Sequence, residues 1–138
     1  MVYWEHFHHQ ADIGVRGCGD SMASAFEQAA LGMTAVIADL DSIADSIAIP
    51  IHCEAQDREL LLCDWLNALI YEMATRKLLF RRFSVTLDGN ELNATAWGET
   101  IDPLRHQPVV EIKGATYTEP GVEQDPDGNW IAQCVVDV

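Results

Sequence analysis

The amino-acid sequence predicts an α+β fold, a single-domain sandwich in which a mixed β-sheet of about seven strands is covered by two long helices. Several segments alternate apolar and polar residues, which is typical of strands. Two others repeat apolar residues every three or four positions, which is typical of helices packed on a sheet. A chain of 138 residues can build one hydrophobic core, so we expect one domain over residues 1–138.

The first part of the chain predicts two strands, a helix and an edge strand. Residues 2–8 and 11–18 have strand-like patterns, and Asp20 or Ser21 can supply the N-cap oxygen of a helix over 22–39. The segment 42–54 alternates isoleucines with polar residues. Because proline cannot donate a ladder hydrogen bond, Pro50 within this segment predicts an edge position.

The second part of the chain predicts a helix and four strands. Asp57 caps the helix, and Arg76 and Lys77 lie at its negative C-terminal end. An Asp-Gly turn at 88–89 joins two strands as a hairpin, because this dipeptide accepts the positive φ angles of tight turns. We predict these strands and the two that follow at 80–87, 92–97, 109–118 and 130–136.

Charge restricts the class of partner. The chain has 22 acidic and 8 basic residues, a net charge of -14 and a pI near 4.4. Such a field repels phosphate backbones, so strong direct RNA or DNA binding is disfavoured, whereas metal cations and basic protein surfaces are favoured. No apolar run approaches the roughly 18 residues that span a bilayer. We therefore expect a cytoplasmic protein without a membrane partner.

Other common sites have little support in the sequence. The cysteines have no C-x-x-C spacing, which favours buried, reduced thiols. His6 and His8 share one face of a strand, but no further ligand lies at zinc-motif spacing, so a zinc site is a minor alternative. Nucleophile-elbow, P-loop and dinucleotide-binding motifs are absent from the sequence. The cysteines are Cys18, Cys53, Cys63 and Cys134.

Two aspartates lie in otherwise apolar strands. Asp12 precedes Ile13, and Asp137 lies within a valine-rich end that finishes at Val138. A buried carboxylate needs a cation or hydrogen-bond donors. If the two strands are neighbours, Asp12, Asp137 and the C-terminal carboxylate of Val138 form an all-oxygen site suited to calcium or magnesium. The alternatives are a backbone-bonded Asp12 beside Gly14 and an Asp137 that faces water.

Lys113 is one of only two lysines in this acidic chain. It lies within the predicted strand 109–118, directly before Gly114. One interpretation is a salt-bridge partner for nearby carboxylates. The other is a positive charge placed to meet an acidic site, a phosphate group or a partner protein.

Six segments, in this order and spacing, resemble the archease family and extend over nearly the whole chain. They are residues 9–15 (HQADIGV), 25–30 (AFEQAA), 61–71 (LLCDWLNALIY), 98–99 (GE), 111–117 (EIKGATY) and 136–138 (VDV).

The resemblance implies an accessory protein rather than an enzyme. Archeases activate the RtcB-type RNA ligase of tRNA splicing and RNA repair, by promoting ligase guanylylation and multiple turnover. The resemblance also implies a divalent-metal site, with calcium as the expected ion. It assigns Asp12, Asp137 and Val138 to the metal, and Lys113, Asp12 and Asp137 to ligase activation.

The chain departs from the family pattern at three positions. Gln10 replaces the usual threonine, Gly114 the usual alanine, and Thr118 the usual histidine. The departure at Gln10 could change hydrogen bonding beside the metal site, whereas that at Thr118 leaves any role of this position open.

Two other functions remain open from the residues. A stand-alone metal-dependent hydrolase would need a base near the ion, and His9 and Glu99 are its candidates. A chaperone-like interaction module would use the acidic face without an ion.

Overall fold

The strands form two antiparallel sheets joined by the two long helices. The structure is a computed structural model that describes residues 1–138, except for the side chain of residue 119. Its elements in chain order are β1 (Tyr3–His9), β2 (Asp12–Gly19), α1 (Met22–Ile37), a 3₁₀ turn (Leu40–Ser42), β3 (Ile47–Glu54), α2 (Arg58–Arg76), β4 (Leu78–Asp88), β5 (Glu91–Thr100), the short α3 (Pro103–His106), β6 (Gly114–Gln124) and β7 (Trp130–Asp137).

The predicted α+β sandwich with about seven strands and two long helices is confirmed. One detail differs, because the strands divide into a sheet of order β1-β2-β7-β6 and a sheet of order β3-β5-β4, and each pairing in them is antiparallel. Three pairings are hairpins of consecutive strands, which favour the antiparallel arrangement over a mixed sheet. β3 is an edge strand, as Pro50 predicts.

Both long helices begin at a side-chain cap. The Ser21 hydroxyl accepts the Ser24 N–H at 3.0 Å, and the Asp57 carboxylate accepts the Leu60 N–H at 2.7 Å. α1 contacts β2 and β4, whereas α2 contacts β6 and β3, so each helix touches both sheets. Gly17 permits the close approach of α1, because a Cβ atom there would overlap the backbone of Ala25 and Ala29.

The core lies where the two helices meet the sheets. Trp65 of α2 is fully buried, and its indole N–H donates to the Phe26 carbonyl at 3.1 Å. This hydrogen bond joins α2 to α1 inside the core. Across the described residues, no helix is long and apolar enough to cross a membrane.

Two strand predictions need correction. The edge strand predicted from residue 42 begins at Ile47, because Leu40–Ser42 forms a 3₁₀ turn held by the Asp39 carboxylate. The strand predicted over 109–118 instead spans Gly114–Gln124. The Val109 N–H donates to the Ile37 carbonyl at 2.9 Å, so the residues before β6 attach to the end of α1 rather than to a strand.

Candidate functional site

Asp12 and Asp137 lie at the same end of two paired strands. β2 and β7 are neighbours, and their antiparallel register places Ile13 opposite Val136. Asp12 and Asp137 are the residues that directly follow this last pair outward, one on each strand. The structure therefore places the two aspartates that the sequence singles out at the same end of neighbouring strands, and both are half-buried.

Lys113 lies on the other side of Asp137. Its backbone N–H donates to the Asp137 carbonyl at 2.8 Å, and the next residue, Gly114, pairs with Asp137 in the sheet. The lysine side chain is exposed. Contrary to the strand predicted around it, Lys113 immediately precedes β6. Asp12, Asp137 and Lys113 thus lie on three adjacent chain segments at one end of the four-stranded sheet.

Val138 continues the chain directly beyond Asp137. Its side chain is partly buried and packs against the hydrophobic core, which restrains the backbone at this end of β7. The main-chain oxygens of Val138 therefore lie one residue beyond Asp137 in the chain.

The electrostatics of this sheet end favour a cation. Two carboxylates at the same end of neighbouring strands repel each other. Among the described side chains, the ion pairs and hydrogen bonds include no partner for the carboxylate of Asp12 or Asp137. Carboxylate and main-chain oxygens are the ligands that calcium and magnesium prefer. The donor set of Asp12, Asp137 and Val138 therefore fits a hard divalent ion.

A second group of possible metal ligands lies on the three-stranded sheet. Within the described chain, His52, Glu54 and Glu91 bring one ligand atom each to within 4.8 Å of one another. Glu54 faces Glu91 directly in the β3–β5 register, and His52 Nε2 lies 3.6 Å from Glu54 and 3.8 Å from Glu91. Asn93 holds His52 Nδ1 at 2.9 Å. These three side chains form a possible metal-binding triad.

The sequence alone does not predict this triad, because its third member comes from a distant strand. The spacing of His52 and Glu54 at period two was a visible signal that both project to one face of a strand. Glu91 joins them only through the pairing of β3 with β5, for which the sequence carries no local signal.

Glu99, a candidate base for a hydrolase, is committed to a structural network. Arg105 donates to one Glu99 oxygen at 2.7 Å, and the Ala44 N–H and His106 Nε2 lie 2.7 and 2.9 Å from the other. These hydrogen bonds, led by that of Arg105, hold the pKa of Glu99 at about 2. A carboxylate with so low a pKa is a weak general base at neutral pH.

His106 completes this network from a buried position. The Asp102 N–H donates to His106 Nδ1 at 2.8 Å, so the neutral ring carries its proton on Nε2 and donates it to Glu99. The His106 residue is 3% exposed. His106 therefore ties the loop after β5 to the strand itself.

The histidines of β1 have separate surroundings. His6 Nε2 lies 2.7 Å from the Gly32 carbonyl, an interaction that uses this nitrogen as a donor rather than as a metal ligand. His9, the other candidate base, is paired with Asp12 in the β1–β2 register. The one group of at least three possible ligands among the described His, Cys, Asp and Glu side chains includes neither His6 nor His8.

Comparison with known proteins connects this geometry to a family. Residues 4–138 match the model of the Archease protein family (MTH1598/TM1083). The chain belongs to the archease family. The proteins named "Protein archease" from Pyrococcus abyssi and Pyrococcus furiosus are each 39% identical over 142 residues, with all of both chains covered. That from Sulfolobus acidocaldarius is 36% identical over 140 residues, also with full coverage.

Solved structures of the family share the fold. The solution structure of Methanobacterium thermoautotrophicum protein 1598 has a TM-score of 0.83 and 29% identity, with 98% of each chain covered. The crystal structure of an archease from Thermotoga maritima, described as a possible chaperone, has a TM-score of 0.58 and 20% identity, with 97% of this chain and 96% of that one covered. The second likeness concerns the fold alone.

Two departures from the archease pattern can now be placed. Gln10 lies in the two-residue β1–β2 connection with a φ of 55°, and it is exposed. At Gly114, a Cβ atom would lie 3.5 Å from Asn67 Oδ1, an ordinary van der Waals distance. The usual alanine would therefore fit at position 114 without displacement of its neighbours.

Proposed function

We propose that this protein is an accessory factor that activates an RtcB-type RNA ligase in tRNA splicing and RNA repair. It promotes guanylylation of the ligase and so permits multiple turnover, and it joins no RNA itself. It acts in the cytoplasm. The observation that carries the proposal is the convergence of Asp12, Asp137 and Lys113 at one end of the four-stranded sheet.

The proposed metal ligands are Asp12, Asp137 and the terminal carboxylate of Val138, with calcium as the ion. Calcium tolerates irregular oxygen cages and several carboxylates, which suits ligands from two strand ends. A bound divalent ion would offset the repulsion between the two carboxylates. It would also give this acidic surface a local positive charge for contact with a partner.

Lys113 would act beside the ion. Its exposed ammonium group can pair with a phosphate oxygen of the ligase nucleotide or with a ligase carboxylate. In guanylyl transfer, charge accumulates on the phosphate oxygens, and positioned cations stabilise it. Lys113 would therefore contribute through charge and position, with no bond made or broken on the archease.

The net charge supports a basic protein as the partner. A charge of -14 attracts the basic surface of an RNA-binding enzyme and accelerates encounter at low salt. The same charge opposes strong direct binding of RNA. The acidic body would thus guide the archease to the ligase rather than to the ligase substrate.

A stand-alone hydrolase is the weaker interpretation. Its candidate base Glu99 lies in the other sheet and is fully engaged by Arg105, Ala44 and His106. A chaperone-like module fits the description of the Thermotoga maritima protein as a possible chaperone. Such a module would work without an ion, which separates it from the ligase activator in an experiment.

Ligase guanylylation under multiple turnover tests the proposal. We expect Asp12→Asn, Asp137→Asn and Lys113→Met each to lower the rate of repeated guanylylation at least about tenfold, as loss of one transition-state cation contact does. Lys113→Arg should retain part of the activity, because it keeps the charge. Full activity in all three charge-removing variants would reject the site as the origin of activation.

Matched variants separate the site from general charge effects. Asp127→Asn removes an exposed carboxylate in the β6–β7 turn, and Lys77→Gln removes the other lysine, at the end of α2. Both should leave turnover unchanged. If the archease alone hydrolyses RNA in the presence of calcium, the hydrolase interpretation replaces ours. If the Asp12→Asn variant without calcium suppresses aggregation of other proteins as well as the wild type does, the chaperone-like interpretation replaces ours.

A further inference from the structure

The Asn67 side chain clamps the beginning of β6. Asn67 lies on α2, and its Nδ2 donates to the Ala115 carbonyl at 3.0 Å while its Oδ1 accepts the Ala115 N–H at 2.9 Å. β6 is an edge strand of the four-stranded sheet. The amide of Asn67 therefore satisfies both backbone groups of Ala115, as a neighbouring strand would.

The clamped residue lies directly beside the candidate site. Ala115 pairs with Val136 of β7, which directly precedes Asp137. Two residues before Ala115, the Lys113 N–H donates to the Asp137 carbonyl. The residues directly before Lys113 belong to no strand. The position of Lys113 relative to β7 therefore depends on the first residues of β6.

Further side-chain contacts hold the residue after Ala115 against β7. The Thr116 hydroxyl donates to the Val135 carbonyl at 3.1 Å, and the Cys134 thiol donates to the Thr116 carbonyl at 3.1 Å. These two hydrogen bonds attach β6 to β7, but they do not attach Ala115 to a helix. Asn67 supplies that second anchor from α2, whose own position is set by the buried Trp65 two residues earlier.

We propose that Asn67 is a positioning residue, which holds Lys113 at a fixed distance from the Asp137 end of β7 by clamping Ala115. This inference rests on the proposed function of Lys113 and Asp137. The simpler alternative is that Asn67 only satisfies the unpaired backbone N–H and carbonyl groups of an edge strand, and so contributes to stability alone. The two differ in what Asn67→Ala does to Lys113.

The first measurement is independent of the ligase. Amide hydrogen exchange, recorded well below the melting temperature, should become about tenfold faster at Ala115 and at Lys113 in Asn67→Ala, because two hydrogen bonds are lost. Amides of β4 and β5 should be unaffected. Asn93→Ala is the matched control, since Asn93 also holds one neighbour through its amide, but on the other sheet. Unchanged exchange at Lys113 would overturn the inference whatever the ligase does.

The second measurement is a double-mutant cycle in ligase guanylylation. Asn67→Ala should lower turnover about fivefold to tenfold, and the Asn67→Ala/Lys113→Met double variant should be no slower than Lys113→Met alone, because both act through one side chain. Additive losses, or normal turnover in Asn67→Ala, would overturn positioning. If Lys113→Met itself has full activity, the proposed role of Lys113 fails, and the positioning role of Asn67 fails with it.

Asn67→Asp is a second test in case Asn67→Ala does not fold. It keeps an acceptor for the Ala115 N–H but loses the donor to the Ala115 carbonyl. We expect exchange rates and turnover between those of wild type and Asn67→Ala. An Asn67→Asp variant that is folded and indistinguishable from wild type in both measurements would show that the clamp does not control Lys113.

Discussion

Replacement of Trp65 by phenylalanine should test how the two helices are joined. The indole of Trp65 is fully buried and donates to the Phe26 carbonyl at 3.1 Å. The loss of this hydrogen bond costs about 1 kcal/mol. The smaller ring also leaves a space of about 40 Å³, which costs about 1 kcal/mol more, with the lost transfer energy in addition. We therefore expect Trp65→Phe to lower the free energy of unfolding by about 2–3 kcal/mol.

The assay is urea unfolding followed by far-UV circular dichroism, with Trp97→Phe as the matched control. Trp97 is half-buried, and the Arg82 guanidinium lies 3.8 Å from its ring centre. A phenylalanine retains a ring face for that contact, so we expect a loss of less than about 1 kcal/mol. Equal losses for the two variants would refute the account of Trp65 as the tie between α1 and α2. A loss of about 2–3 kcal/mol should lower the melting temperature by about 6–12 °C.

Three further predictions concern Glu99, Gly114 and Gly98. Because hydrogen bonds hold the native pKa of Glu99 at about 2, its stabilising contribution is present above the unfolded pKa of about 4.3 and is lost as pH falls from there to about 2. Glu99→Gln should therefore lower the urea midpoint of unfolding at pH 7. In this variant the midpoint should also decrease less between about pH 4.3 and about pH 2 than it does in the wild type. An equally steep decrease in both proteins would contradict the hydrogen-bond network around Glu99. Gly114→Ala should leave calcium affinity within about twofold of wild type, since its methyl group meets Asn67 at an ordinary distance. Gly98→Ala should destabilise by more than about 2 kcal/mol in the same urea assay, because its Cβ would overlap the Leu79 carbonyl, and a normal midpoint would contradict that packing.

The sequence was sufficient to predict the features that depend on local spacing. The stripe of apolar residues and the Asp57 cap predicted α2, which spans Arg58–Arg76 with that cap in place. The Asp-Gly pair predicted the β4–β5 hairpin, and Gly89 has a φ of 59°. These signals are local, because helix caps and tight turns depend on residues a few positions apart.

The features that depend on distant pairing were harder to predict. The alternation before residue 114 predicted a strand, but tertiary contacts hold those residues at the end of α1. The group of His52, Glu54 and Glu91 requires the β3–β5 register, and the clamp of Asn67 on Ala115 requires the position of α2 against β6. No spacing within one segment encodes such contacts. The sequence predicted that Asp12 and Asp137 lie near each other only on the condition that their two strands are neighbours.

Calcium titration by calorimetry tests the central claim most directly. The account predicts one ion per chain for the wild type, loss of site-specific heat in Asp12→Asn and in Asp137→Asn, and an unchanged isotherm in Glu54→Gln, which alters the other group of possible ligands. An isotherm that survives both aspartate substitutions, or that disappears in Glu54→Gln alone, would contradict a shared ion between the ends of β2 and β7.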